Sequence, residues 1–224
     1  MKKFIAIILS VLFLLCACSE TVENTSSVIE ESFSSKEPSA VIGGGGGPVP
    51  SDAKKAYISN GAKYTSAIQA DALYPDSYNS ELTDGSVNLS IDTYNHESLV
   101  GFLTKTYSVV IDLGEMNDKI YGARVSAYLD TDAGVSDELE ISAYYSSDNV
   151  KWTVMGMPKL TGNKQLRALN EYECLTKNYI SARYIKITVS GNNAWVFLEE
   201  ISVIGDDEEK AATTFNDVVD DVYA

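Results

Sequence analysis

Between Tyr57 and roughly residue 205 the chain is written in short runs with a period of two, separated by turn signals. Leu139, Ile141, Ala143 and Tyr145 alternate with Glu138, Glu140, Ser142 and Tyr144; Ile185, Ile187 and Val189 alternate with Tyr184, Lys186 and Thr188. Because successive side chains of a strand point to opposite faces, this pattern predicts strands buried on one side only. Val109, Ile111 and Leu113, with Val110 between them, read as a more deeply buried strand closed by Gly114. No helix-length amphipathic segment separates these runs, whereas parallel strands need crossovers of that length. The expectation is an all-β fold: an antiparallel sandwich or jelly roll.

The amino terminus bears on compartment. Lys2 and Lys3 precede an apolar run from Phe4 to Leu15 that is too short to span a bilayer and fits the apolar region of a signal peptide. It ends in Leu15-Cys16-Ala17-Cys18, which resembles the lipobox of bacterial lipoproteins. That resemblance implies a signal peptide over residues 1–17, cleavage before Cys18, and a lipid such as palmitate on Cys18. It further implies a product anchored to the cell membrane on its extracytoplasmic side. The alternatives are an ordinary signal peptide with incidental cysteines, or a short buried helix. Two or more acyl chains, each CH₂ contributing about 0.8 kcal/mol, anchor stably without a transmembrane helix. With Cys16 discarded and Cys18 acylated, Cys174 has no partner, so no disulfide supports the folded part. About 150 residues suffice for one core, since a domain of that size buries roughly two-thirds of its unfolded surface.

Residues 18–50 are rich in Ser, Glu, Thr and Val, then run into five glycines and Pro48-Val49-Pro50. They have neither a strand nor a helix period and read as a flexible linker. The glycine run is not a phosphate loop: no Lys-Ser/Thr follows, and prolines stand where a helix should start. One domain is expected over residues 51–205. Residues 206–224 form an acidic tail in which Phe215, Val218, Val219 and Val222 are spaced for a short amphipathic helix, with Thr213, Thr214 or Asp217 as caps. That helix and plain disorder both remain open.

Five stretches occur in a telling order: Leu82-Thr83-Asp84-Gly85, Val109 to Gly114, Tyr144 to Trp152, Ala182 to Ile187, and Phe197 to Val203. Together they resemble the discoidin, or coagulation factor 5/8 type C, family of galactose-binding-like β-sandwiches, which includes many bacterial carbohydrate-binding modules. The resemblance implies a structural calcium ion held by Asp84 and Glu200 with backbone carbonyls, a ligand set suited to a hard cation. Asp92 is the one further acidic side chain of the loop, and Glu199 is a fallback ligand. The plainer reading makes Asp84 a turn residue and Glu200 a solvated strand residue.

The resemblance also places a sugar site on loops at one end of the sandwich, here 74–78, 92–96 and 130–134. Tyr74, Tyr78 and Tyr94 would stack on a pyranose, while Asp76, Asn95 and His96 bond its hydroxyls. Against this stands packing of Tyr74 and Tyr78 on the sandwich edge, with His96 a surface residue. Trp152 reads as core and Trp195 as core or rim, while Arg124 and Arg183 read as structural ion-pair residues.

Charge narrows the partners. The chain carries 32 acidic against 17 basic residues, a formal charge of −15, and loss of Lys2 and Lys3 makes it more negative still. Such a surface repels phosphate backbones and anionic headgroups, so no nucleic acid is expected and the membrane is met through the lipid alone. Neutral glycans remain. Catalysis is not expected: there is one histidine, and no His-Glu-x-x-His, Cys-x-x-Cys or Gly-x-Ser-x-Gly pattern. Any carboxylate pair chosen between Asp130 and Glu140 would be arbitrary. The reading is a lipid-anchored, non-catalytic carbohydrate-binding module; its alternative is a protein-interaction or structural part of a surface assembly.

Anchoring through Cys18 is directly testable. Cys18→Ala should leave unprocessed precursor and abolish labelling by a fatty-acid analogue, while Cys16→Ala should leave labelling intact. Labelling that survives Cys18→Ala overturns the assignment.

Overall fold

The structure, a computed structural model, describes residues 46–211. The signal segment, Cys18, most of the linker and the tail from residue 212, with its proposed caps, lie outside the described residues. Among the described residues there are nine strands: β1 (Lys55–Tyr57), β2 (Lys63–Ser66), β3 (Val100–Leu103), β4 (Thr106–Leu129), β5 (Leu139–Ser146), β6 (Thr153–Gly156), β7 (Lys159–Leu160), β8 (Ala168–Gly191) and β9 (Trp195–Asp206). Every ladder between them is antiparallel. Two short 3₁₀ turns, Ser77–Asn79 and Glu81–Thr83, are interposed. The fold is therefore all-β, a curved antiparallel sheet of jelly-roll type, as the period-two runs predict.

β4 and β8 run through the whole molecule. The first part of β4, Thr106–Asp112, pairs with Ser190–Tyr184, and its last part, Gly122–Leu129, pairs with Leu175–Ala168. Register shifts between Asp112 and Gly122 interrupt the ladder. Gly114 stands there at φ +84°, a conformation that costs glycine little. Bulges of this kind bend and twist strands, so the two parts of each long strand serve different layers. β2, β5 and β6 flank the first part, and β9 with β1 and β3 on its far side, together with β7, flank the second.

The alternating runs face each other across this bend. Tyr107, Val109, Ile111, Ile141, Ala143, Ile185, Ile187 and Val189 come from the first layer, and Ala123, Val125, Ala127, Leu198, Ile201 and Val203 from the second. All are buried, most of them completely. At about 25 cal/mol per Å² of apolar surface removed from water, this core is the main stabilising term of the domain. Trp152 differs from its expected place: it is half-buried on the outer face, where the Lys186 ammonium lies 4.4 Å from its ring and 4.8 Å from that of Tyr144. Tyr144 is directly opposite Lys186 in the ladder, and this face points away from the core.

Order also reaches past both expected domain boundaries. The Val49 amide donates to the Lys177 carbonyl at 3.0 Å and the Tyr179 amide to that of Gly47 at 2.9 Å, so the end of the expected linker lies along β8. At the other end β9 continues to Asp206, which accepts bonds from the Lys54 amide and the Tyr179 hydroxyl.

Arg124 and Arg183 both make ion pairs. Arg124 pairs with Glu171 and lies over the ring of Tyr57. Arg183 clasps Asp112 with two bonds of 2.7 and 2.9 Å where the ladder begins to bend. The guanidinium and the Gly114 amide hold the Asp112 carboxyl below the usual carboxylate range. A carboxyl lowered in the folded state stabilises above its unfolded pKa, about 3.9, and that contribution disappears as pH falls through the lowered value. Urea unfolding from about pH 6 to about pH 2 should therefore show Asp112→Asn less stable than the unmutated chain at the upper end, with the difference shrinking toward the lower. A difference constant with pH would contradict this role for the pair.

Candidate functional site

Loops converge at one end of the sandwich around β9. The inward residues of that strand start the arrangement: Phe197 is buried in a small cluster with Ile91, Leu99, Tyr128 and Val135, separate from the main core. Three half-buried rings stand on it. Tyr74 meets Phe197 edge-on at 4.9 Å, Trp195 edge-on at 5.5 Å and Tyr94 edge-on at 6.3 Å, while Trp195 stacks on Phe197 at 5.5 Å. Edge-to-face and offset packing of this sort suits the ring quadrupoles and fixes the rings in place. Gly101 lies beneath: a Cβ there would come within 2.7 Å of both Tyr74 and Phe197, so only glycine lets the 71–74 turn close onto β3.

Polar groups surround the rings. The Tyr74 hydroxyl donates to Asn95 Oδ1 at 3.0 Å. His96 is held on both nitrogens, with Nδ1 2.9 Å from Ser98 Oγ and Nε2 3.3 Å from Asn88 Nδ2. The Tyr128 hydroxyl, from the same cluster, donates to buried Asp130, whose other oxygen accepts the amides of Thr131 and Asp132. Arg167 pairs with Asp132 and lies 3.8 Å from Asp130.

The sequence candidates for sugar contact thus separate. Tyr74, Tyr94, Asn95 and His96 come together. Asp76 is turned the other way: it accepts the Tyr64 hydroxyl at 2.6 Å and the Glu81 amide at 3.4 Å. Tyr78, at φ +63° and 98% exposed, has no ring contact and stands outside the cluster. Trp195, open between core and rim in the sequence, belongs to the platform. Arg167 carries no such signal in the sequence, because it sits in a turn-rich segment with no strand period and reaches Asp132 only across the fold.

The candidate metal residues lie further along β9. Ser126 pairs with Glu200 and Ala127 with Leu198, so Glu199 is the extra residue of a bulge. The bulge breaks the alternation, and both Leu198 and Ile201 enter the core with two glutamates between them. Glu199 and Glu200 are each only 2% exposed. Glu200 is therefore not a solvated residue.

The loop after Asp84 covers the pair. Glu200 accepts the Gly85 amide at 3.3 Å, and Glu199 accepts the Asn88 amide at 2.7 Å and the Ser98 hydroxyl at 3.2 Å. Asp84, exposed, receives the Ser86 amide at 2.7 Å as a turn residue would. Glu199 Oε2 is buried with no hydrogen-bond partner among the described residues. Burial pushes the Glu200 carboxyl up to about 9 and that of Glu199 up to about 7, and the Asp84 charge adds to both. Two desolvated carboxyl groups with an orphaned oxygen and an acidic neighbour are short of positive charge, and in that respect they fit a hard cation. Among the described residues no group of three or more His, Cys, Asp or Glu is placed to hold a metal by side chains alone. Backbone carbonyls would have to complete any shell.

No protein-family model matches the chain, and no curated protein matches it. Solved structures do. One is described as a family 32 CBM from C. perfringens NanJ in complex with galactose: 15% identity, 67% of this chain and 98% of that one, TM-score 0.47. Another is a Streptococcus pneumoniae fucose binding module: 15% identity, 66% and 96% covered, TM-score 0.47. A third, from Clostridium perfringens, has CBM32 in its description: 17% identity, 66% and 98% covered, TM-score 0.43.

Proposed function

We propose that this chain is a non-catalytic carbohydrate-binding module, carried on the cell surface by a lipid at Cys18, and that it takes a neutral glycan at the platform of Tyr74, Tyr94 and Trp195. The observation that carries this reading is the platform itself. Three half-buried rings are braced against one buried Phe197 and edged by Asn95, His96, Asp132 and Arg167. Rings that are rigid before binding lose little entropy on contact with a sugar's C–H face, and the surrounding amide, imidazole and charged groups supply directional bonds to hydroxyls. The rim carboxylates are already engaged by Arg167, and Asp76 by Tyr64, which suits recognition rather than proton transfer.

A glycan array followed by calorimetry tests this. Tyr74→Ala, Tyr94→Ala or Trp195→Ala should weaken binding by about 1–3 kcal/mol, by analogy with other aromatic platforms, while Tyr78→Ala should change little. Affinity should vary little with salt, since the ligand is neutral. A folded protein that binds no glycan removes the reading and favours a protein partner.

The second proposal concerns calcium. Asp84 and Glu200 would hold it together with backbone carbonyls, with Glu199 as the fallback ligand, and the ion would supply the positive charge that the buried pair lacks. The loop that covers the pair leads directly to Tyr94 and His96, so the same residues order one wall of the platform. A cation bound only by the folded state stabilises by mass action, about 2.7 kcal/mol at a hundredfold excess over Kd. Adding calcium should raise Tm and a chelator should reverse the rise; Glu200→Gln should abolish both responses. A chelator-insensitive Tm, with no calcium heat in calorimetry, contradicts the proposal.

A further inference from the structure

The first layer ends at an open strand. β2 pairs with β4 alone, with Tyr64 opposite Ile111 and Ser66 opposite Val109. The Ala67 amide donates to the Ser108 carbonyl at 2.9 Å, which makes Lys63, Thr65 and Ala67 the hydrogen-bonded positions of this ladder. The amides and carbonyls of Tyr64 and Ser66 therefore point away from β4, and no other strand among the described residues takes them.

This edge lines a cleft of about 570 Å³, together with Asp71, Pro75, Asp76 and Phe102. Two aspartates and no basic residue line it, and neither carboxylate makes an ion pair among the described residues. None of the platform rings borders it. Tyr107, completely buried, stacks on Phe102 at 3.8 Å, and its hydroxyl has no hydrogen-bond partner among the described residues. A buried hydroxyl normally has one. Ser66 lies beside it, but that side chain donates to the Ile68 carbonyl instead.

We propose that β2 is a docking edge for an extended segment of a partner protein that carries basic residues at alternate positions. The segment adds as an antiparallel strand, like every other ladder of this domain, and its backbone pairs with Tyr64 and Ser66. A further amide takes the Ile68 carbonyl, and the released Ser66 hydroxyl turns to Tyr107. Residues directly opposite each other share a face of the sheet, so the partner side chains across from Tyr64 and Ser66 enter the cleft. An aliphatic stem over Phe102 that ends in a cation suits an apolar floor beside Asp71 and Asp76. A bare ion would leave the open edge and Phe102 unused, and an acidic strand would be repelled by both aspartates. Backbone pairing then supplies affinity and the alternate side chains supply specificity. This surface is independent of the glycan reading.

The test is calorimetry of the full chain with a short acetylated and amidated peptide of alternating threonine and arginine. Two controls of equal charge are the same peptide N-methylated on its arginine amides, which face β2 in the pairing, or on its threonine amides, which face solvent. The arginine-methylated form should bind about tenfold more weakly than the parent, and the threonine-methylated form about as well. Ser66→Pro deletes one outward amide at an edge position that proline tolerates, and it should cost about tenfold as well. Asp71→Asn should weaken binding and flatten its dependence on salt, while Tyr107→Phe should weaken binding without lowering the Tm of the free chain. Hydrogen exchange should slow in peptides that cover 64–68. Equal binding of the two methylated peptides overturns the proposal and marks general attraction of a polycation to an acidic chain. Full affinity in both Ser66→Pro and Asp71→Asn, each folded, overturns it too.

Discussion

The ladder between β4 and β8 is the constraint on which the rest of the molecule depends. Each strand is 24 residues long and takes part in both layers, so the chain cannot open one layer without disturbing the other. The shared backbone bonds set the register that sends Ile185, Ile187, Val109 and Ile111 to one side of the core and Ala123 and Val125 to the other. The bend is local, confined to the bulged residues between Asp112 and Gly122, and Arg183 holds Asp112 at its start. Close approach finishes it: a Cβ on Gly122 would lie 2.5 Å from the Cys174 carbonyl oxygen. Cys174 itself is a half-buried thiol pushed up to about 11 by burial, so it is a packing residue and a poor nucleophile.

β9 carries both residue clusters on that frame. Within six residues it presents Trp195 and Phe197 to the aromatic platform and then, through one bulge, two adjacent carboxyl groups to the covering loop. A regular strand would send Glu199 and Glu200 to opposite faces, and one of them would enter the core. The bulge avoids that cost and concentrates acid at one spot. Loop 84–98 is tied to the strand by bonds from Gly85, Asn88 and Ser98 to those carboxyl groups, and it carries Tyr94, Asn95 and His96. Whatever fixes the charge of the pair therefore also fixes one wall of the platform. The division of labour is common to sandwiches: layers supply rigidity and loops supply chemistry.

The sequence by itself determined the class of fold. Period-two runs such as Leu139 to Tyr145 and Tyr184 to Val189 dictate which side of a strand meets the core, and the lack of helical segments between them leaves only antiparallel pairing. Of the loop residues it singled out, Tyr74, Tyr94 and Asn95 do come together. What only the tertiary structure decided is how non-local groups pair. Whether Asp76 faces a ligand depends on Tyr64, twelve residues away. The platform role of Trp195 depends on the Tyr74 turn folding over Gly101. Trp152 reads as core from its place at the start of a strand yet lies on the outer face, with the Lys186 ammonium over its ring. Arg167 has no local signature at all. Periodicity is a property of one strand and survives in the sequence. A bulge on β9 and a bend shared by β4 and β8 are properties of pairing between distant segments, and only the folded chain defines them.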